Sequence, residues 1–499
     1  MRRRWGATST LLAGLLAVAL AQLACSCGAG RQTRPADDAT GAPAEEERVA
    51  AAPEAAAAPA PARVGAGPVP CADAYPPGFR FLVGTKKRDM PLIPEPPPRQ
   101  PFLDPTFKTC IVRVTDRAHD LLGGDRSVGL KNEYSRVDSF NADGSRILVR
   151  ATEATWYLYD ARSFKRVGRL PFAGAVDPRW DARDPNVLWY TPDTRLVRLD
   201  VRSGKAKTVR DFAKDFPQWK PETVFGRWEG SPSLDGYTFA FMVKDAKRAR
   251  GLIVYDLRDQ PKDTDGRPGE IIGRYDLAEN KPIRGDDPDS VSMSPSGRYV
   301  WAQFDYCEKD SPRGTFAKPC GAMVYDRALR TARGVVRAIG HADLALDARG
   351  RDVAIFQDND QDQVSVVDLE TGAVTPLHPI DFSQGTLGFH FSGRAGARPG
   401  WAVVSVYDKV TKTKQWLSHL VYAIELKAGG RIVPLAHHHT LRDDEKGEAD
   451  YFAEPHASTN RDLTRVLFTS NWHRVGTNTV ETYLIALPPD WTDRLAAGK

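Results

Sequence analysis

Long hydrophobic runs are scarce in this 499-residue chain. Beyond an apolar stretch at residues 11–20, nothing approaches the ~18 apolar residues that a membrane-crossing helix needs. Cysteine is sparse, with six in all, and no Cys-x-x-Cys occurs, which argues against a thiolate zinc site. Clustered positive charge is missing. The formal net charge is +5 with no long Lys/Arg run, so nucleic-acid binding has no electrostatic footprint. No Gly-x-Ser-x-Gly, phosphate loop or dinucleotide fingerprint appears, which disfavours serine hydrolase and nucleotide chemistry and predicts no nucleotide cofactor. Strong amphipathic helices are absent as well.

What is present begins with a targeting pattern. Met1-Arg2-Arg3-Arg4 is a basic leader to the apolar stretch. Leu23-Ala24-Cys25 resembles a bacterial lipoprotein box, whereas Ala19-Leu20-Ala21 would suit ordinary cleavage and plain secretion. The expectation is a signal segment over 1–24, lipidation at Cys25, and a membrane anchor at the cell envelope. Residues 39–70 hold 13 Ala and 6 Pro with almost nothing large to bury, so 25–75 reads as a disordered tether. Residues 76–130 read as an extended arm and a closing strand. Export permits disulfides. Cys307 and Cys320 flank one short loop, and bridging them would contribute about 3 kcal/mol in the chain-entropy model. Cys71–Cys110 would then tie the arm to the body.

The body, 131–495, repeats. A β-rich run ending in an acid and a turn recurs at Asp160, Asp200, Asp256, Asp326, Asp368 and Glu425. Before each stands a turn and an apolar strand, as in "NADGSRILVR", "SLDGYTFAF", "SPSGRYVWAQF" and "NRDLTRVLFTS". Glycine in such turns accepts positive φ and marks hairpins. Seven units of ~40–60 residues with three or four strands each predict an all-β, seven-bladed β-propeller. The last unit lacks a fourth strand, and "TCIVRVTD" (109–116) is free to supply it and close the ring. A monomer is expected.

Alternate residues of a strand share a face. Counting back from each turn glycine places ionisable pairs at the start of the inner strands: Arg227 and Glu229, His341 and Asp343, and Glu454 and His456 with Leu463 in the glycine's place. Asp177 and Arg179 join them if Asn186 fills that role. Asp289 and Arg136 stand one residue out of phase. Such a mixture would hold a divalent metal through His341, Glu454 and His456, and an acidic sugar through Arg179 and Arg227, with Asp177, Glu229 and Asp343 beside them. Arg227, His341 and His456 are the candidates for proton transfer. A solvated polar channel would produce the same pattern. His437-His438-His439 reads as an exposed loop edge or as a second contribution to the funnel. His119, His378, His390, His419 and His473 read as structural or surface residues.

The motifs "DPRWDARDPNVLWY" (177–190), "SMSPSGRYVWAQF" (292–304), "GHADLALDARG" (340–350) and "EPHASTNRDLTRVLFTSNW" (454–472) resemble an exported bacterial family of TolB-type propellers related in fold to oligogalacturonate lyases. In those lyases histidines and a glutamine hold a metal near the axis. The resemblance carries His341 and His456 into that role, while Tyr451 and Glu454 depart from the family pattern. It implies either an envelope-tethered propeller that binds a carbohydrate or envelope protein at its axial face, or a metal-dependent polysaccharide lyase acting on uronate-containing oligosaccharides.

Overall fold

A computed structural model describes residues 71–496 apart from 228, 259–268, 284–286, 386, 409–413 and 443–450. The leader, Cys25 and most of the tether lie outside the described residues. Among those described, seven antiparallel sheets follow one another along the chain. Blade one is Leu130–Lys131, Arg146–Ala151, Thr155–Asp160 and Arg166–Ala173, with each strand hydrogen-bonded to the next. Blades two to six repeat that order. Blade five is Ile339–Leu346, Asp352–Asp358, Gln363–Asp368 and Val374–Pro379, and blade six is Leu387–Ser392, Trp401–Asp408, Leu420–Glu425 and Ile432–His437.

Blade seven closes the ring as expected. Ser458–Thr459, Arg465–Ser470 and Glu481–Ala486 come from the C-terminal part, Cys110–Arg113 supplies the fourth strand, and Pro101–Leu103 adds a fifth at the rim. The register runs from Cys110 opposite Ala486 to Arg113 opposite Tyr483. Each blade keeps its inner strand as a short edge toward the channel, protected by the closed ring. The Cys71–Cys110 and Cys307–Cys320 bridges are both formed.

The repeated acids have a local cause. At the turn after the third strand, Asp160 accepts from the backbone N–H of Arg162 and Ser163, Asp368 from Glu370 and Thr371, and Glu425 from Arg431. Each satisfies turn donors that no strand can reach. The preceding turns need a left-handed residue. Gly236 supplies it at φ 74°, and Leu463 takes it at φ 54° without glycine's freedom. The apolar core lies between blades: Val187, Phe239 and Ile253 fill the seam of two and three, and Ile355, Phe389 and Val404 that of five and six. Both faces of each sheet are therefore buried, and polar chemistry is left to the strand ends.

Candidate metal centre

Two inner-strand segments bring three ligating groups together. Leu387–Ser392 carries His390, and the stretch leading into Ser458–Thr459 carries Glu454 and His456. His456 sits in the left-handed region at φ 40°. For a side chain with a Cβ this costs about 1–3 kcal/mol and persists only where the surroundings enforce it. They do so here. Asn132 Nδ2 donates to the His456 carbonyl at 2.7 Å, and Thr469 Oγ1 fixes Asn132 by donating to its Oδ1 at 2.7 Å. The Thr469 N–H donates to the Pro455 carbonyl at 2.8 Å, and the Ala457 N–H to Ser405 Oγ at 3.0 Å.

The Glu454 Oε2 atom lies 3.3 Å from His390 Nε2 and 3.7 Å from His456 Nε2. The two imidazole centroids are 4.1 Å apart. One ligand atom from each residue falls within 4.8 Å of the other two. All three side chains are buried, and none of the four imidazole nitrogens makes a hydrogen bond. The other Glu454 oxygen, Oε1, accepts from Arg442 Nη1. Tyr134 roofs the trio, with its ring 4.8 Å from His456 and 5.3 Å from His390, and Tyr407 stacks on His390 at 4.9 Å.

Burial governs the protonation states. It pushes the His390 and His456 imidazoles well below their ordinary range, assisted by Arg136 for His390 and by His390 for His456. Both are therefore neutral, which is the ligating form. Burial raises Glu454 despite Arg442. Lys131, also buried, is lowered to about 8.

The donor set fits a cation. Protein nitrogens and oxygens stand about 2.0–2.2 Å from zinc, so two ligands of one ion are separated by at most about 4.2 Å. The 3.3 and 3.7 Å spacings meet this. Two imidazoles and a carboxylate suit zinc or manganese and leave positions open for an external ligand.

The predicted residues divide. His341 enters the axial cluster as a neighbour, its ring 4.9 Å from His390, and lies outside the trio. Burial, then His390, lowers it to about 3. Glu229 pairs with Arg136 at 2.6 Å and is raised by burial to about 7. Arg227, left-handed at φ 54°, donates to the Pro288 carbonyl at 2.8 Å and stands 3.6 Å from Asp289. Asp343 accepts from the N–H of Leu344 and of Gly393, at 2.8 and 2.6 Å, and burial raises it to about 6.

Asp177 and Arg179 belong to the seam of blades two and three. Asp177 accepts from the Gly226 N–H, and Arg179 Nε donates to the Gly230 carbonyl, both at 2.6 Å. They line a cavity of about 10 Å³, room for one water. The reason is the turn of blade two. It runs from the Asp181 N–H to the Val187 carbonyl, one residue longer than the Ser294–Tyr299 turn, and Asn186 is not left-handed.

The residues that sequence reasoning passed over are His390, Arg442, Tyr134 and Lys131. His390, set aside as structural or surface, is a buried member of the trio. Its signal was hidden by the stretched turn between Ser392 and Trp401, which displaces the glycine from which the other blades are counted. "KNEYSR" (131–136) placed Lys131, Tyr134 and Arg136 side by side, and all three reach the axis.

No protein-family model and no curated protein sequence matches the chain. Its fold does have solved relatives. An oligogalacturonate lyase in complex with manganese matches at TM-score 0.53 and 15% identity, covering 81% of this chain and 99% of that one. An oligogalacturonate lyase from Vibrio parahaemolyticus matches at 0.52 and 12%, covering 79% and 97%. TolB from Acinetobacter baumannii matches at 0.32 and 15%, covering 61% and 63%. The chain is a seven-bladed β-propeller, a fold it shares with these two oligogalacturonate lyases.

Proposed function

We propose that this propeller holds one divalent cation at its axis through His390, Glu454 and His456, and there binds a carbohydrate bearing carboxylate groups. The observation that carries the reading is four buried imidazole nitrogens without hydrogen bonds, beside a buried carboxylate. Buried polar groups are nearly always partnered, and those that are not call for an explanation such as an ion. When bound, the cation would act as a Lewis acid toward a sugar carboxylate. The chain's own groups do the rest. Arg442 holds Glu454 in place, Tyr134 covers the rings, and Arg136 and Arg227 stand nearby, paired with Glu229 and Asp289. The similarity to a manganese-bound oligogalacturonate lyase supports the same reading through the fold.

The test is calorimetric titration with Mn²⁺ or Zn²⁺, then with oligogalacturonate. One ion per chain, lost in Glu454→Gln, with sugar binding abolished by chelation, is the expected result. Sugar binding indifferent to chelation would remove the proposal.

One observation favours catalysis as a second reading. Lys131 is buried and lowered to about 8, and Glu454 is among the charges that act on it. A fraction of its amine is then free at neutral pH to take the proton α to a uronate carboxylate. An unsaturated product from oligogalacturonate, absent in Lys131→Met, would support it, and no product from the metal-loaded chain would exclude it.

We also read the chain as exported and tethered through Cys25 to the cell envelope. The two cystine bridges support export. Absence of fatty-acid label on Cys25 would return the protein to plain secretion.

A further inference from the structure

The inner strands of blades one and three do not run straight along the channel. In blade one Lys131 pairs with Arg150 and Phe140 with Ile147, so residues 132–139 stand opposite only Leu148 and Val149. In blade three the ladder breaks after Phe225, which lies opposite Met242, and resumes where the Ser233 N–H donates to the Thr238 carbonyl at 2.9 Å. Both strands thus carry surplus chain that has left its ladder. Bulges of this kind bend a strand and re-aim its side chains, and they are frequent beside sites.

The blade-one bulge crosses the axis and is held there by the other blades. Arg136 Nη1 pairs with Glu229 of the blade-three bulge at 2.6 Å and donates to Ser290 Oγ of blade four at 3.1 Å. The Ser231 and Ser458 hydroxyls donate to the carbonyls of Arg136 and Val137, at 2.7 and 2.6 Å. Arg394, beyond the end of Leu387–Ser392 in blade six, reaches both Asp138 oxygens at 3.3 Å. Tyr134 lies within this bulge, against His456 and His390, and is buried. The Arg136 guanidinium stands on the same ring, 5.5 Å from its centroid, and the Tyr134 hydroxyl is a hydrogen-bond partner of Glu229.

We propose that Arg136 and Glu229 are positioning residues, whose ion pair clasps the two bulges across the axis and so holds Tyr134 as the seal that keeps water off His390 and His456. A buried ion pair adds little net stability over an apolar pair of the same shape, and its best-attested use is to fix one arrangement among several. The pair stands where that use is needed, since it joins two segments that no strand ladder fixes. Excluding water strengthens every charge interaction made inside a site. The clasp rests on the axial reading above only for what it would protect. The seal itself is a property of the metal-free chain.

The test is carbethoxylation of the metal-free chain by diethyl pyrocarbonate, read residue by residue by mass spectrometry, so that its outcome is independent of ion binding. The reagent acylates accessible neutral imidazole. His119, with its side chain 78% exposed, is the positive control. His378, buried between blades five and six, reports loosening elsewhere. In wild type His119 should react while His390 and His456 stay protected. Glu229→Ala should speed both axial histidines about tenfold with His378 unchanged, and Glu229→Gln, which keeps the shape and loses the charge, about threefold. If Glu229→Ala does not fold, Glu229→Gln decides alone. Axial rates that stay at the wild-type level overturn the clasp, as does a rise at His378 equal to that at His390, which would make Glu229 a support of the whole body.

Discussion

Glu454 Oε2 stands 3.3 Å from Nε2 of His390, a residue of the preceding blade, and both side chains are buried. The ligand set therefore crosses a blade seam. His390→Ala should abolish stoichiometric axial binding of Mn²⁺ and weaken affinity more than 100-fold, since even outer-shell partners of metal ligands are worth 10–100-fold. His341→Ala, which removes a neighbour, should cost at most that outer-shell amount. Titration calorimetry of the two variants checks the order, and a larger loss in the His341 variant would return that residue to the ligand set.

The fold was legible because its signals are local. Alternating apolar strands, acids that cap the turn at Asp160 or Asp368, and glycine or Leu463 in left-handed turns all act within a few residues. The site was legible only where the local frame repeats. Glu454 and His456 precede a turn of standard length and were found. His390 precedes a stretched one and was not. Arg179 precedes a turn one residue longer, and it lands in a seam cavity instead of the channel. Arg442 has no periodic signal at all, since it is brought to Glu454 by a segment that leaves the blade's outer strand.

Arg442 is the guanidinium bound to buried Glu454, and its own Nε is without a partner. Arg442→Met should destabilise the metal-free protein by about 3–5 kcal/mol, because a buried charge is left uncompensated. A divalent cation would take over as counter-charge. The rise in melting temperature on adding Mn²⁺ should thus be larger in the variant than in wild type. Equal rises would show that ion and guanidinium do not share Glu454.

Closure of the ring depends on Glu481 in blade seven. Its Oε1 accepts from Arg113 at 2.6 Å and Arg117 at 2.8 Å, and Oε2 accepts from Thr115 Oγ1 at 2.6 Å. These partners lie on or beside the N-terminal closing strand. Glu481→Ala removes the nearest acid from Arg113 but leaves Glu95 and Asp116 at 3.5 and 3.6 Å, so a loss of about 1–3 kcal/mol in urea unfolding is expected, with axial metal affinity of the folded protein unchanged. A loss below about 1 kcal/mol would mean that backbone pairing alone latches the ring.

His378 offers a pH test away from the axial site. Its Nδ1–H donates to the Pro379 carbonyl at 3.0 Å, and its Nε2 accepts from the Tyr422 hydroxyl at 2.8 Å, so the neutral ring is satisfied. Burial lowers it to about 4 from the ordinary 6.5. Between those values the unfolded chain binds the proton and the folded chain does not. Stability from this residue is therefore full above 6.5 and declines as pH falls toward 4. Going from pH 7.5 to 5.5 should remove about 1.3 kcal/mol. Other groups titrate over the same range, including Glu229 and Asp343, which are raised and act in the opposite sense. A comparison with His378→Gln cancels them. The stability gap between wild type and variant should shrink by about that amount at pH 5.5, and a gap that stays constant would show that the buried ring does gain its proton in the folded state.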